Sequence, residues 1–333
     1  MRVVILGGGP AGVAAALILL EAQIPVTIVE PRRFPRYRPG ETLHPGIEPL
    51  LDKLGIAEVL QAGYLRHAGV WTAWEGPLRF APYGEDNTGP WRGFQAIRSD
   101  FDHRLLEIAC NRGAQLVTGH ASGVRTNSAG EIVGVTTAAG AIPATYVLDG
   151  SGSSHALARQ LKIPLIRHSR RLVARFGYAT GIYEGPAPSI EPDADGWTWI
   201  AEVEPRRFQW TRVTEAHQRP GAAWLPAGLR GLKAEPPRGA DVTWRIAQRV
   251  AGPGYFLTGD AAAVLDPSSS HGVLRAVMSG MMAAHLAARH LCFGDDGQAC
   301  AEQYQQWLSD WFRHDVVEMS RLYRAANLFG FQA

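Results

Sequence analysis

The chain opens on Val3-Val4-Ile5-Leu6-Gly7-Gly8-Gly9-Pro10-Ala11-Gly12 and runs through an Ala/Leu-rich stretch to Val26-Thr27-Ile28-Val29-Glu30. No other stretch limits the fold as strongly. A short β-branched strand, a glycine turn, an apolar helix and a second strand ending on an acid form the setting in which a Gly-x-Gly-x-x-Gly pattern carries meaning. Gly7 permits the tight turn, Gly9 lets the backbone approach a pyrophosphate with no Cβ in the way, and Gly12 lets the helix lie close to its strand. The pyrophosphate would rest on the free N–H groups of the helix N-terminus. Glu30 is placed to accept hydrogen bonds from a ribose 2′-hydroxyl and would repel a 2′-phosphate. The pattern predicts an α/β, doubly wound, Rossmann-type domain holding a dinucleotide.

With 333 residues there is room for two domains, or for one large domain with an insertion. The formal net charge of +2 points to neither nucleic acid nor a membrane surface as partner. Arginine supplies nearly all the basic charge, since Lys53, Lys162 and Lys233 are the only lysines. Cys110, Cys292 and Cys300 make no metal-ligand spacing and read as reduced thiols, so no metal is expected. The first strand begins at once, leaving no room for a signal peptide, and the longest apolar run, 13–20, is too short to span a bilayer. A soluble cytoplasmic protein is the expectation.

Along the chain, residues 31–46 form a basic, proline-punctuated loop with Arg32, Arg33, Arg36 and Arg38, either a phosphate site or a solvated face. Within it, Gly40-Glu41-Thr42 sets a carboxylate and a hydroxyl in a rigid turn, followed by a helix over 47–54. Residues 65–94 read as short strands carrying Trp71, Trp74, Phe80 and Trp91, broken by a turn at 83–90. A helix follows, with Ser99 or Asp100 as its N-cap and an end near Arg112-Gly113. Strands resume at 115–117, 122–125, 132–135 and 144–150, the last ending on Asp149-Gly150, where a doubly wound sheet places its ligand loops. From 161 to 243 the alternation is strand-like, with proline-rich loops at 185–192 and 219–237. The aromatic faces of Trp197-Thr198-Trp199-Ile200 and Phe208-Gln209-Trp210-Thr211 either line a cavity or pack a core.

The segment 255–263 ends a strand on Gly259-Asp260, close enough to a polyol for the acid to bind a hydroxyl. After Asp266-Pro267-Ser268-Ser269-Ser270-His271, a helix from about Gly272 through His290 aims the positive end of its dipole at the same place. Residues 298–328 make one or two amphipathic packing helices. Gly150-Ser151-Gly152-Ser153-Ser154-His155 lacks the final glycine and acid of a second fingerprint. The division expected is a discontinuous nucleotide domain (1–64, 95–160, 245–290), an inserted mixed-sheet substrate domain (65–94, 161–244) and C-terminal helices (291–333).

Taken together, Gly7 to Gly12 with Glu30, Arg98 with Asp149-Gly150, and Gly259-Asp260 with Asp266-Pro267 resemble the group A flavoprotein monooxygenases, which share the para-hydroxybenzoate hydroxylase and glutathione-reductase-like FAD fold. Gly40-Glu41-Thr42, Trp197-Thr198-Trp199-Ile200 and the 266–273 motif look like the branch holding flavin-dependent halogenases, and more like LodB- and QhpG-type flavoproteins of tryptophylquinone cofactor biogenesis. The resemblance implies FAD as cofactor. It implies Gly9 to Gly12 at the pyrophosphate, Glu30 at the adenosine ribose, Arg98 at the pyrophosphate or ribityl chain and Val124 at the adenine. Gly150 and Thr42 would join the same site, with Asp260 on the ribityl and pyrophosphate oxygens. Pro267 would lie beside the isoalloxazine, and the Gly272 and Val273 amides at its N1/O2 edge, where negative charge develops.

The implied activity is hydroxylation of an electron-rich aromatic ring through a flavin C4a-hydroperoxide, the ring being a tryptophan side chain of a partner protein and the electrons coming from NAD(P)H or an external flavin reductase. Halogenation needs a lysine by the substrate cavity, which this chain lacks between Lys53 and Lys162, and its Trp-x-Trp-x-Ile-Pro signature is broken at Ala201-Glu202. Other readings are a halogenase, a small-molecule aromatic hydroxylase, a dehydrogenase acting on isoprenoid lipids, or an FAD-binding assembly chaperone for a quinoprotein. His271 and Glu41 are the ionisable candidates beside the flavin; His271 is either a general base kept neutral by the helix dipole or a helix cap.

Overall fold

The computed structural model describes residues 1–331 apart from 62, 219, 220, 222 and 223. Part of the expected 219–237 loop, and positions 332 and 333 of the C-terminal segment, therefore lie outside the described residues. Five parallel strands form the first sheet, in the order Gln115–Thr118, Val26–Glu30, Val3–Leu6, Tyr146–Asp149, Tyr255–Leu257, with Ala251–Gly252 antiparallel at the edge. Val3 to Leu6 are buried throughout, as a strand covered on both faces requires. Leu6 pairs with Val29 and Asp149, and Asp149 with Leu257, so the turns after these strands all open on one edge. That edge is where a doubly wound sheet binds its ligand.

The fingerprint helix, Pro10–Glu21, starts with Pro at N1, which loses nothing because that N–H would be unpaired anyway. It is apolar nearly all round because it is sandwiched between the sheet and the helix Gly272–Phe293. A Cβ on Gly280 would sit 2.1 Å from the Ala11 carbonyl oxygen, so the two helices meet backbone to backbone there.

The second sheet has eight strands and is mixed. It runs Lys233–Ala234, Leu172–Thr180, Arg207–Glu215, Gly196–Glu204, Ser189–Asp193, Gly69–Thr72, Arg79–Pro82, with Arg238–Asp241 also on Leu172–Thr180. Only the Ser189–Asp193/Gly69–Thr72 pair is parallel. Thr42–Leu43, Gly93–Gln95 and Leu65–His67 form one small junction sheet and Leu165–Arg167, Arg245–Ala247 and Ala263–Val264 another, so the expected boundaries near 64, 94 and 244 meet these sheets, whereas the one at 160 follows the helix Ala156–Gln160 and the one at 290 lies inside the helix Gly272–Phe293. Chain crossing between lobes thus satisfies its backbone in short ladders rather than in bare linkers.

One local expectation is corrected. The helix Arg98–Asn111 has Ile97 at its N-cap with no side-chain cap, because Asp100 instead accepts from the Tyr64 hydroxyl at 2.7 Å and from Arg104 Nε at 2.8 Å. The C-terminal segment is one helix, Gly297–Ala325, and does more than cover the first lobe. Tyr304, Leu308 and Phe312 pack in the nucleotide-lobe core, whereas Met319 and Tyr323 pack with Trp197, Trp199 and Trp244 in the core under the second sheet. No helix among the described residues is long and apolar enough to cross a membrane.

Candidate functional site

Between the ligand edge of the parallel sheet and the face of the mixed sheet lies a cavity of about 1150 Å³. Gly7, at φ +99°, takes a conformation only glycine adopts freely, and a Cβ there would lie 2.5 Å from the Gly150 oxygen. A Cβ on Gly12 would lie 2.0 Å from the Gly7 oxygen, so Gly12 keeps the turn closed while Gly7, Gly9, Pro10, Ala11 and Gly150 form the wall. Glu30, also on the wall, accepts from the Gly8 N–H through Oε2 and from the Arg32 N–H through Oε1, both at 2.9 Å.

Arg36, Arg38 and Arg98 converge beside this cradle. Arg98 forms a bidentate pair with buried Asp102, at 2.8 and 3.0 Å, and also donates to the Pro39 carbonyl. Arg36 reaches the same carboxylate only at 3.6 Å, and its Nε and Nη1 are buried without a hydrogen-bond partner among the described residues. Burial lowers the basicity of both Arg36 and Arg38. Unpaired buried donors and surplus positive charge beside a helix N-terminus fit a pyrophosphate. Asp260 opens into the cavity; enclosure pushes its carboxyl above the ordinary value, while Arg98 and Arg38 pull the other way. The residues present therefore fit a dinucleotide, for which Arg36 and Arg38 of the basic loop would be phosphate ligands.

Gly40, Glu41, Thr42, Asp266, Pro267, Gly272 and Val273 also line the cavity. Glu41 is 1% exposed; its Oε1 accepts from the Tyr178 hydroxyl and its Oε2 from the Gly40 N–H at 2.9 Å. Burial raises its pKa, with the Tyr178 bond opposing. Thr42 donates through its hydroxyl to Gln95 Oε1 at 2.8 Å. On the sheet, Phe176, Thr211 and Trp199 are cross-strand neighbours in one row, and with Trp197 and Gln209 they form the aromatic side of the cavity. Trp197 and Trp199 belong to the core as well, so the two sequence readings of this strand both hold.

Three expected site residues are off the wall. Gly12 acts behind the turn. Val124 sits in the strand Ala121–Thr126 opposite Val135, and the wall there is made by Gly119, His120 and Ala121 instead. His271 occupies the N-cap position of Gly272–Phe293 without any side-chain cap bond, and its ring packs edge-on against His44 with centroids 4.7 Å apart. Burial first, then Arg275 and His44, push its pKa down to about 3, where the sequence reading rested on the helix dipole. Tyr178 was not legible in the sequence, being 137 residues from the glutamate it holds.

A family model described as FAD binding domain matches residues 1–227. Tryptophan 2-halogenase of Chondromyces crocatus is 29% identical over 341 residues, covering 92% of this chain and 64% of that protein. The chain thus spans just under two thirds of that relative's length. Among solved structures, the myxobacterial chondrochloren halogenase CndH superposes with a TM-score of 0.85 at 21% identity, covering 97% of this chain and 82% of that one. The peptidyl tryptophan dihydroxylase QhpG gives 0.73 at 23% identity, covering 98% and 74%. At such identities these two structures show the fold alone. The likeness expected to be greatest for QhpG-type proteins is corrected, since the tryptophan 2-halogenase is nearer in sequence. With a matching model over two thirds of its length and a cavity that fits the cofactor, this chain belongs to the FAD binding domain family and FAD is its cofactor.

Proposed function

We propose that the chain is an FAD-dependent monooxygenase that hydroxylates an electron-rich aromatic ring, with the indole of tryptophan as the ring it accepts. The observation that supports this is one continuous cavity carrying both the dinucleotide cradle and an aromatic wall of Phe176, Trp197 and Trp199. When bound and reduced, the flavin supplies the activation of dioxygen. The chain's own residues do the rest. The aromatic wall holds a flat ring by offset stacking and edge contacts and keeps water out. The N-terminus of Gly272–Phe293, with Gly272 and Val273 on the wall, favours negative charge in the cavity. Glu41, fixed by Tyr178 and Gly40 and pushed up by burial, can hold a proton at its carboxyl beside the reacting ring. His271 turns its ring to His44, which leaves Glu41 as the acid–base group of this proposal.

The indole is favoured because the names of two relatives specify tryptophan, as the substrate of a 2-halogenase and as a peptidyl residue for QhpG. Halogenation is the second reading, supported by sequence similarity to halogenases. Against it stands the cavity wall, on which none of the three lysines lies. The deciding experiment supplies FAD-loaded protein with NADH, a flavin reductase and bromide, and offers tryptophan or a tryptophan-containing peptide of a candidate partner protein. A product heavier by oxygen with no bromine is expected. A brominated product would overturn hydroxylation, and no oxygen consumption with any substrate would leave an FAD-binding assembly chaperone as the reading.

A further inference from the structure

One carboxylate on the cavity wall has no part in the chemistry above. Asp266 is 1% exposed and immediately precedes Pro267. Its Oδ2 accepts from the Trp244 indole N–H and from the Tyr323 hydroxyl, each at 2.5 Å, and its Oδ1 from the Ser268 backbone N–H at 3.0 Å. Chemistry fixes these directions. Indole and backbone N–H groups only donate. The Tyr323 oxygen already accepts from the Trp197 indole N–H at 2.7 Å, so its own proton points to Asp266. Three donors converging on one carboxyl match an ionised, acceptor-only group. Burial pushes Asp266 up, and the bonds from Tyr323, Ser268 and Trp244 oppose that push. The Tyr323 phenol is itself held well above its ordinary range by burial, so it stays a donor. No ion pair neutralises Asp266 among the described residues: Arg275, the cation whose charge it feels, is paired with Asp315 at 2.8 Å.

We infer that Asp266 is an ionised group that lowers the electron affinity of the bound FAD, and that Tyr323, reaching in from the C-terminal helix, is the positioning residue that holds this charge in place. Two-electron reduction with uptake of one proton leaves one added negative charge on the flavin ring system. A carboxylate on the wall of the same cavity opposes that charge and offsets the positive helix end at Gly272, and its burial between Trp244 and Tyr323 strengthens the effect. The reduced cofactor is thereby a stronger reductant toward dioxygen. This inference rests on FAD binding in the cavity and does not depend on which substrate is oxidised.

Spectroelectrochemical titration of the FAD-loaded protein reads the effect without turnover. Asp266→Asn is nearly isosteric and is expected to favour reduction by about tenfold, which is an upward shift of ~30 mV for a two-electron couple. Tyr323→Phe keeps the ring that packs on Trp74 and Trp244 and removes only the hydroxyl. With one donor fewer the carboxylate's charge is less dispersed, and the potential is expected to move downward. Asp310→Asn removes a solvent-screened acid and should change nothing. An unmoved potential in Asp266→Asn that retains FAD would overturn the assignment, as would an upward or absent shift in Tyr323→Phe. If the asparagine variant fails to hold FAD, Tyr323→Phe alone decides.

Discussion

Glu30 engages both carboxylate oxygens with backbone N–H groups, Gly8 through one and Arg32 through the other, so it shapes the glycine turn as well as facing the cavity. An amide in its place would set its own NH₂ against one of those two donors. Glu30→Gln is therefore expected to weaken FAD binding by about 1–3 kcal/mol, roughly ten- to a hundredfold in Kd, with secondary structure intact. Fluorescence titration with FAD checks this, and an unchanged Kd would take Glu30 out of the site. His67 and His271 carry a different kind of information, because burial pushes their pKa values down to about 4 and about 3. In the unfolded chain each takes up a proton near pH 6.5, whereas the folded protein resists until the lower value. Between those limits the unfolded state binds more protons, so stability falls as pH drops below 6.5, by up to about 1.4 kcal/mol per pH unit for each ring. Melting curves from pH 7.5 to 5 should be visibly flatter for the His67→Gln/His271→Gln double variant than for the parent; equal slopes would show that neither ring is buried as described.

At the scale of elements, the contact between Pro10–Glu21 and Gly272–Phe293 joins the two chain segments that build the cofactor site. With the Gly280 Cβ position 2.1 Å from the Ala11 carbonyl oxygen, no side-chain rotation can relieve a methyl group there. Gly280→Ala is expected to cost about 1–3 kcal/mol by overpacking and to lower FAD content, since Ala11 lies on the cavity wall and must move with its helix. Melting temperature and the flavin-to-protein absorbance ratio test both halves. The C-terminal helix is capped by Asp296, whose carboxylate accepts from the Gln298 N–H at 3.0 Å, and Asp296→Ala should cost about 1 kcal/mol. What the sequence could disclose at this scale followed period and punctuation. The all-apolar strand Val3–Leu6 and the start of the helix at Gly272 are written locally, whereas that helix runs on past the expected end at His290 to Phe293. The strand Gly140–Pro143 went unread because its only neighbour, Ile132–Thr137, buries one of its faces while it stays mostly exposed itself, leaving four residues with no apolar alternation. The absence of a side-chain cap at Ile97 also could not be read, since Asp100 is claimed by Tyr64, a residue far back in the chain.

For the whole molecule, legibility tracks sequence separation. Gly7, Gly9, Glu30, Asp260 and Gly272 could be placed on one ligand edge because strand, turn and helix signals flank each of them. The glutamate–tyrosine pair Glu41–Tyr178 and the hub of Asp266 with Trp244 and Tyr323 could not, because each joins lobes whose approach depends on tertiary packing that no local pattern encodes. The same joints carry a last expectation. The helix Gly297–Ala325 contributes to both cores, the two junction sheets mix strands from both lobes, and the cavity takes its walls from both. A ligand seated in it binds only when both lobes are folded and in place. At a hundred times its Kd, FAD adds about 2.7 kcal/mol to the folded state. For a chain of this size that is on the order of 5 °C. Calorimetry of the apoprotein titrated with FAD should therefore show a single transition that moves upward as a unit, and Met319→Ala, which opens a cavity in the core under the mixed sheet, should lower that same transition in both forms. Two transitions, of which FAD moves only one, would mean that the lobes unfold independently and that the mixed sheet is not part of the cofactor's site.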